Sequence, residues 1–402
     1  MSGHVAAALS RIPGSQSIAA TDHARELIRA GHDILLLTAG EPDFDTPDHV
    51  KAAAIAAIER GETKYPPVAG ERVLLEAISA KFERENGLDV PPEHVIVSNG
   101  AKQVIFNAFV ATLDPGDQVI VPAPFWVSYP AIAQFAGADV VELQTHATEG
   151  FKVDPEALER SITDRTRWLL LNSPHNPTGA SYTRAELAAL AEVLERHEHV
   201  LVLSDDIYEH LTYGDEGFTT LAAVAPGMAD RVLTVNGVSK AYAMTGWRIG
   251  YAGGPGWLIK AMRKLQSQST GGACSIAQHA AVAALTGDQS VLGERRLAFA
   301  RRRDVICDGL QSIEGIEVNV PDGAFYVFPS CAGLLGKVTP TGKRLETDED
   351  VATFLLTDAG VATVHGAAYG ASPHVRLSFA ASEATLVEGC ERIRRACDAL
   401  TD

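Results

Sequence analysis

The chain is organised around one stretch, Val238-Ser239-Lys240-Ala241-Tyr242-Ala243-Met244-Thr245-Gly246-Trp247-Arg248. Apolar runs at residues 232–235 and 249–252 flank it and predict two short strands, so Lys240 falls on a loop at a strand end. Apolar neighbours at such a position take an ammonium out of water and favour the neutral, nucleophilic amine. A neutral lysine can form a Schiff base with a carbonyl group, and Arg248 is suited to hold a phosphate. The alternative is a surface lysine and a structural arginine.

The composition is that of an acidic globular protein with ample core for two or three domains. The 402 residues are 46% hydrophobic and carry a net charge of -17, which argues against a nucleic-acid or membrane partner. No apolar run reaches the ~18 residues of a membrane span, and the N-terminus lacks a signal-peptide pattern. The five cysteines are scattered, which is typical of reduced thiols. We therefore expect a cytoplasmic protein.

From residue 94 onwards apolar strands alternate with helices, which indicates a mostly parallel sheet covered on both faces. Its predicted strands are residues 95–97, 118–121, 140–143, 168–171, 200–203, 232–235 and 249–252. Ligands of such sheets bind beyond the carboxyl ends of the strands. A helix is predicted before this sheet at residues 71–86, and Thr46 is a candidate N-cap for an earlier one at 49–60.

The last part of the chain differs in pattern and predicts an α+β unit. Its predicted strands are residues 318–320, 324–328, 361–364 and 375–379, and a long helix at 291–313 leads into it. We expect the N-terminal segment to pack with it. The predicted fold class is α/β: a large domain (46–292) with a mostly parallel seven-stranded sheet flanked by helices, plus a smaller α+β domain built from both termini (1–45 and 293–402).

Two strand ends of the predicted sheet are suited to a flat, anionic ligand. The sequence Asn99-Gly100-Ala101-Lys102 closes a strand and opens a helix, where free amides and a glycine can form an anion site. Trp126 follows the next strand, where it can stack on a flat ring or belong to the core. Each signal is weak by itself.

Three polar side chains interrupt apolar stretches in the middle and the last part of the chain. Asn176 lies in the rigid sequence Asn172-Ser173-Pro174-His175-Asn176-Pro177-Thr178-Gly179, which predicts a fixed amide donor. Asp205 ends a buried strand, with Tyr208 one turn on, and a buried carboxylate needs a cationic partner. Arg376 interrupts the apolar strand at 375–379, so it either pairs with a carboxylate of the protein or is reserved for one of a substrate.

Other catalytic motifs are missing from the sequence. It contains no Gly-x-Gly-x-x-Gly after a strand, no Walker loop, no Gly-x-Ser-x-Gly and no His-Glu-x-x-His. The stretch His197-Glu198-His199 lies at a polar helix end and is better explained as a solvated terminus than as a metal site. We therefore expect no metal.

Taken together, these motifs resemble the class I/II aminotransferases, which are fold-type-I enzymes dependent on pyridoxal 5'-phosphate (PLP), and in particular bacterial aspartate aminotransferases. The likeness runs nearly end to end, in Gly40-Glu41-Pro42-Asp43-Phe44, Asn99 to Gln103, Asn172 to Gly179, Ser204 to Tyr208, Ser239 to Gly250, Gly323-Ala324-Phe325-Tyr326 and Val375-Arg376-Leu377-Ser378.

The resemblance implies a role for each of these residues. Lys240 would form the Schiff base with PLP and shuttle the proton. The other residues implied to bind the cofactor are Asp205 at the pyridine nitrogen, Tyr208 and Asn176 at the phenolic oxygen, Trp126 on the ring, and Gly100, Ala101, Lys102, Ser239 and Arg248 at the phosphate. Tyr65 would reach the phosphate of a neighbouring subunit, which implies a homodimer with shared sites. The implied substrate contacts are Arg376, Gly40, Trp126 and Asn176.

The resemblance implies transfer of an amino group between an L-amino acid and a 2-oxo acid, with aspartate and 2-oxoglutarate as the leading pair. Val110 stands where some relatives carry a lysine for the distal carboxylate of aspartate, with Ser15 and Ser17 at nearby hydroxyl positions, and residues 270–274 depart from the usual pattern of the neighbour's pocket. An aromatic, prephenate or broad-specificity aminotransferase therefore stays open. A PLP-dependent β-lyase on the same fold is the other alternative.

Overall fold

The computed structural model describes residues 5–14, 16–214 and 216–402. Ser15 and the side chain of Ser17, both named above for the substrate pocket, lie outside the described part. The helices are α1 (Ala7–Ser10), α2 (Gln16–Arg29), α3 (Asp48–Glu59), α4 (Arg72–Lys81), α5 (Ala101–Thr112), α6 (Ser128–Ala136), α7 (Pro155–Ser161), α8 (Arg184–Glu195), α9 (Leu221–Val224), α10 (Gly256–Ser267), α11 (Ser275–Thr286), α12 (Ser290–Gln311), α13 (Asp348–Thr357) and α14 (Glu383–Asp398). In the described ranges no helix is both long and apolar enough to cross a membrane.

The strands form one large sheet and two small ones. They are β1 (Leu35–Leu36), β2 (Val95–Asn99), β3 (Gln118–Ala123), β4 (Asp139–Gln144), β5 (Thr166–Asn172), β6 (Leu201–Asp205), β7 (Val232–Gly237), β8 (Ile249–Gly253), β9 (Tyr326–Val327), β10 (Val361–Ala362), β11 (Val364–His365) and β12 (Val375–Ser378). The large sheet has the order β2-β8-β7-β6-β5-β3-β4.

The prediction of a mostly parallel seven-stranded sheet is confirmed. Strands β7, β6, β5, β3 and β4 run parallel, whereas β8 is antiparallel to both of its neighbours. Most residues of the central strands are buried, because helices cover both faces of a sheet of this kind. The register pairs Asn172 with Asp205, so the ends of β5 and β6 lie side by side.

The connection between β7 and β8 carries the stretch that contains Lys240. Because β7 and β8 are antiparallel neighbours, residues 238–248 must turn back over the carboxyl edge of the sheet. The same edge receives the ends of β5 and β6. The topology therefore brings Lys240 to the residues that follow the parallel strands.

The two ends of the chain meet in the small sheets. Strand β1 pairs in parallel with β10, and β12 lies between β11 and β9 in a three-stranded antiparallel sheet. The 22-residue helix α12 leads into this region and packs against α14. A domain boundary at residues 46 and 292 stays a prediction.

Two predicted strands of the C-terminal region were wrong. Residues 318–320 form no strand: Val320 is exposed, Pro321 follows it, and Asn319 donates from its side chain to the carbonyl of Ala147. The predicted strand 361–364 is divided between β10 and β11, which pair with different partners. Tertiary pairing, rather than apolar pattern, sets both outcomes.

One predicted helix cap was wrong, and one predicted helix changes from α to π before it ends. Thr46 does not cap α3; its hydroxyl instead donates to the carbonyl of Ala243, in the loop that carries Lys240, at 2.8 Å. The helix predicted at 71–86 ends its α-helical part at Lys81 and continues as a wider π-turn. That turn brings the amide of Asn86 to the buried Lys81 ammonium at 2.7 Å and to the carboxylate of Glu209 at 2.7 Å.

Candidate active site

A cavity of about 410 Å³ lies beyond the carboxyl ends of the central strands, between the large sheet and the segments from both chain ends. Most residues that the sequence predicts for the site line it: Gly40, Ala101, Lys102, Trp126, Asn176, Asp205, Tyr208, Ser239, Lys240, Arg248 and Arg376. Gly100 lies directly behind Arg248 rather than in the wall. Tyr65 is fully exposed and does not line the cavity of its own chain.

Lys240 stands in the cavity close to aromatic rings. Its Nζ lies 5.7 Å from the ring centre of Tyr208 and 5.8 Å from that of Phe325, and it donates to the backbone carbonyl of Gly40. Burial lowers the pKa of Lys240 to about 8. A much larger share of this amine is therefore neutral near pH 7 than for a lysine in water.

Asp205 is a buried carboxylate that contacts no cation directly in the described residues. Its Oδ2 accepts from the hydroxyl of Tyr129 at 2.6 Å, and its Oδ1 accepts from the amide of Ile207 at 3.3 Å. Burial raises the pKa of Asp205 to about 6. A cation that entered the cavity beside it would stabilise the ionised form, as the sequence predicts.

The start of α5 and the Arg248 side chain form an anion cradle. A Cβ atom at Gly100, where φ is +86°, would lie 2.4 Å from Nη2 of Arg248, so only glycine lets the guanidinium approach. The amides of Ala101 and Lys102 belong to the first turn of α5 and have no acceptor within the helix. Arg248 is held by the carbonyl of Thr245, which accepts from Nη1 at 2.8 Å. This combination is suited to a phosphate.

The side chain of Lys102 adds a cation that the sequence interpretation did not use. Its Nζ lies 4.8 Å from the ring centre of Trp126, and burial together with Arg248 lowers its pKa. Trp126 packs edge-on against Tyr129, the partner of Asp205. Lys102 lines the cavity, whereas Val110, which stands where some relatives carry a lysine, does not line the cavity of its own chain.

Arg376 is buried without a carboxylate partner among the described residues. Its Nη1 donates to Oδ1 of Asn176 at 3.0 Å, its Nη2 donates to the carbonyl of Thr38 at 2.8 Å, and its Nε is unpaired. Because arginine can only donate, the oxygen of Asn176 accepts and its NH2 group is left as a donor. Of the two readings of Arg376, the structure favours reservation for a substrate carboxylate.

The sequence interpretation missed some residues of the site. Tyr326 lines the cavity and exchanges a hydrogen bond with Tyr208 at 2.9 Å. Tyr129 binds Asp205, and Glu41 accepts from the hydroxyl of Thr245 at 2.7 Å. Tyr326 and Glu41 fall inside motifs quoted above, and Tyr129 lies three residues after Trp126, but no local pattern indicates their partners.

The remaining polar candidates do not join this site. His197 contacts Glu159 at 2.8 Å, whereas His199 contacts the carbonyl of Thr163, so they do not converge on one point. Residues 270–274 do not line the cavity of their own chain. Their predicted place in the neighbour's pocket stays a prediction.

Comparison with known proteins identifies the class. The profile of the family "Aminotransferase class I and II" matches residues 32–393, and the chain belongs to this family. A relative described as the probable aspartate/prephenate aminotransferase of Rhizobium leguminosarum bv. phaseoli is 55% identical over 98% of this chain and 99% of its own.

Solved structures agree with the family assignment. The aspartate aminotransferase from Rhizobium meliloti has a TM-score of 0.97 and 53% identity, covering 99% of this chain and 100% of its own. The aspartate aminotransferase from Thermus thermophilus with maleate has a TM-score of 0.92 and 46% identity, covering 98% and 100%. The protein is a fold-type-I aminotransferase, and its cofactor is PLP.

The geometry of this cavity fits PLP. The cradle at Gly100 suits the phosphate. The carboxylate of Asp205, which has no cationic partner in the described residues, suits the protonated pyridine nitrogen, and burial lowers the pKa of Lys240 as capture of an aldehyde requires.

Proposed function

We propose that this aminotransferase moves the amino group of L-aspartate to 2-oxoglutarate, and that Lys240 is its catalytic residue. The observation that carries the proposal is a single cavity lined by Lys240, by the carboxylate of Asp205, which has no cationic partner in the described residues, and by the guanidinium of Arg376, which has no carboxylate partner there. An amine, a partner for a pyridinium and a receptor for a carboxylate are the groups that transamination of an amino acid requires.

The cofactor is held at both of its ends. The amides of Ala101 and Lys102, with Ser239 and Arg248, would bind the phosphate, and Gly100 gives them room. Around the ring, Asp205 would bind the pyridine nitrogen, Asn176 and Tyr208 would donate to the phenolic oxygen, and Trp126 would cover one face. Bound PLP supplies an aldehyde that takes up the amino group and a ring that stabilises negative charge at the substrate's α-carbon.

Lys240 is the group positioned to move protons. Its Nζ has a pKa lowered to about 8 by burial, so it can act as a base near neutral pH and still return a proton. A positioned general base contributes about 10²–10⁴-fold in rate. Removal of the proton from the substrate's α-carbon is the step we assign to this atom.

The charges of the cavity favour a dicarboxylic substrate. Arg376 would bind the α-carboxylate, with Gly40 as a backbone contact, and Lys102 supplies a further cation near the ring of Trp126. The Thermus thermophilus relative is described with maleate, which is also a dicarboxylate. Prephenate is the second candidate, because the Rhizobium leguminosarum relative carries it in its name and prephenate has two carboxylates.

A panel of amino donors tests the proposal. Wild-type enzyme with bound PLP is mixed with single amino acids, and loss of the visible cofactor band measures each half-reaction. Aspartate and glutamate should react fastest. Lys240→Ala should abolish turnover, whereas the exposed Lys260→Ala should not. Turnover by Lys240→Ala would refute the catalytic assignment, and pyruvate release without an amino acceptor would favour the β-lyase.

We further infer a cytoplasmic homodimer whose sites are shared, in which Tyr65 of the partner subunit contacts the phosphate. The full exposure of Tyr65 in one chain supports this. Inactive Lys240→Ala subunits mixed with weakly active Tyr65→Ala subunits should recover activity, because one site of each hybrid dimer then has both native residues. A monomer in sedimentation, or no recovery after exchange, would count against shared sites.

A further inference from the structure

The hydroxyl groups of Tyr208 and Tyr326 are hydrogen-bonded to each other inside the cavity. Their oxygens lie 2.9 Å apart, and both rings are at least 96% buried. Tyr326 begins β9 and is held there by the pairing of its residue with Ser378 of β12. The guanidinium carbon of Arg376 lies 4.4 Å from the ring centre of Tyr326. Tyr326 therefore touches both the substrate-binding arginine and the tyrosine at the cofactor.

We propose that Tyr326 is a positioning residue, which donates its proton to the hydroxyl of Tyr208 and so leaves Tyr208 free to donate to the phenolic oxygen of PLP. This inference rests on the proposed role of Tyr208. A tyrosine hydroxyl has one proton to donate. If Tyr208 donates to the cofactor, the bond between the two hydroxyls must run from Tyr326 to Tyr208.

The charges around the pair favour this direction. Burial raises the pKa of both phenols, and Arg376 opposes the rise at both. The hydrogen bond between the two hydroxyls adds to the rise at Tyr208, whose pKa lies well above its usual range, and opposes the rise at Tyr326. The other ionisable groups that act on the pair are Asp205 near Tyr208 and Glu41 near Tyr326. Tyr326 is thus the more acidic phenol, and the more acidic hydroxyl is the better donor.

The chain contains a matched control at Tyr369. Its ring also lies under the guanidinium of Arg376, at 5.1 Å, and is fully buried. Its hydroxyl, however, is buried without a hydrogen-bond partner in the described residues. Tyr369→Phe therefore removes the same atom from a similar ring beside the same arginine, but breaks no bond to Tyr208.

The test measures the visible absorption of bound PLP against pH, without substrate. A weaker donor leaves the phenolic oxygen more negative, so the proton held beside it is lost at higher pH. Because hydrogen bonds in a chain strengthen one another by roughly 10–30%, Tyr326→Phe should raise the pH midpoint by about half a unit. Tyr369→Phe should leave the midpoint unchanged. The KM for the amino donor should change little in Tyr326→Phe, because Arg376 keeps both ring neighbours.

A double variant distinguishes the hydrogen bond from Tyr326 to Tyr208 from a general effect of removing a buried hydroxyl. In a Tyr208→Phe background, Tyr326→Phe should add no further shift, because the acceptor of its proton has gone. An unchanged midpoint in Tyr326→Phe, an equal shift in Tyr369→Phe, or an additive shift in the double variant would each overturn the proposal. If phenylalanine at 326 does not fold, 3-fluorotyrosine there should lower the midpoint, because it is a stronger donor; a rise or no change would overturn it.

Failure here is distinguishable from failure of the proposed function. The midpoint is read only in enzyme that shows the visible band, and that band should be lost in Lys240→Ala. A missing band in wild-type enzyme would refute the cofactor assignment, whereas a normal band with no shift would refute only the role of Tyr326.

Discussion

Replacing Gly100 with alanine should weaken PLP binding by about 10- to 100-fold while leaving the protein folded. Gly100 precedes α5 with φ at +86°, and the Cβ of an alanine would lie 2.4 Å from Nη2 of Arg248. Real Cβ atoms do not approach so closely, so an atom must move. The obstructing atom is the tip of a long side chain, and the guanidinium can swing away at small cost to the fold.

The magnitude follows from what Arg248 loses when it moves. A hydrogen bond to a charged group contributes about 1.5–3 kcal/mol, and each 1.4 kcal/mol changes an affinity tenfold. One phosphate contact of Arg248 therefore corresponds to roughly a 10- to 100-fold higher Kd for PLP. The backbone of Gly100, with φ at +86° and ψ at +161°, is in a region that essentially only glycine adopts, which adds a separate penalty of about 1–3 kcal/mol to the free energy of folding.

Gly116→Ala separates the two effects. Gly116 also has a positive φ, at +95°, but a Cβ there meets no atom within 4 Å. Both variants should lose similar thermal stability as apoproteins, because they carry a comparable backbone penalty. Only Gly100→Ala should bind PLP more weakly.

The assay is titration of the apoprotein with PLP, followed by absorbance or equilibrium dialysis, with Tm measured alongside. If Gly100→Ala binds PLP within about threefold of the wild type and loses no more stability than Gly116→Ala, Arg248 does not hold the phosphate. If Gly100→Ala and Gly116→Ala weakened PLP binding equally, a general loss of stability, rather than the contact between Arg248 and the phosphate, would govern the affinity for PLP.

Three further outcomes follow from buried charges. Asp205→Asn should stabilise the apoprotein at pH 7 by up to about 3 kcal/mol, because burial raises the pKa of Asp205 from 3.8 to about 6 in the folded protein. The stability that the protonated carboxyl contributes is lost as pH rises through 6, so the gain in stability of the variant, measured by urea unfolding, should vanish near pH 4. Lys81→Met should destabilise the fold by about 3–5 kcal/mol, because it leaves the buried carboxylate of Glu209 without its cation. Arg376→Lys should lower kcat/KM for aspartate by about 10- to 100-fold, because one ammonium cannot reproduce a two-pronged carboxylate contact.

Each of these outcomes has its own control. The substitution Asp89→Asn, at an exposed residue, should give no pH-dependent gain in stability. If Asp205→Asn raised the free energy of unfolding equally at pH 4 and pH 7, the gain would not come from removing a buried charge. Addition of Glu209→Gln should restore most of the stability lost in Lys81→Met. The substitution Arg395→Lys, at an exposed residue, should leave kcat/KM for aspartate unchanged. A kcat/KM for Arg376→Lys within about threefold of the wild-type value would mean that Arg376 does not bind substrate.

The sequence was most informative where chemistry interrupts a regular pattern. Lys240, Asp205 and Asn176 end or follow apolar strands of the large sheet, and parallel strands must bring such ends to one edge. Arg376 was conspicuous for a different reason, because it interrupts an apolar strand of the small sheet. The register of β5 and β6 then places Asn172 beside Asp205, four residues before Asn176. These residues could be predicted because their positions depend mainly on the sheet.

What the sequence could not predict depends on partners that are distant along the chain. The π-turn after Lys81 accompanies contacts of Lys81 and Asn86 with Glu209, which lies 128 residues after Lys81. Arg376 could be interpreted in two ways until the structure showed amide and carbonyl oxygens, rather than a carboxylate, within its reach. No local pattern states which acceptor a buried donor will find, since burial and pairing are settled together by the tertiary structure.

The chain carries a net charge of -17, whereas several of the side chains that line its cavity are cationic. Arg248, Lys240, Lys102 and Arg376 converge on one space, whereas Asp205 is the deeply buried carboxylate that faces them. Arg376 is buried and Lys240 is half-buried, whereas Lys102 and Arg248 are exposed at the mouth of the cavity. Bringing four cations together without carboxylate partners costs free energy, which bound anions offset. A phosphorylated cofactor and a carboxylate substrate supply those anions. The cluster therefore destabilises the empty protein in favour of the bound one, and ligands that bind only the folded state stabilise it by mass action.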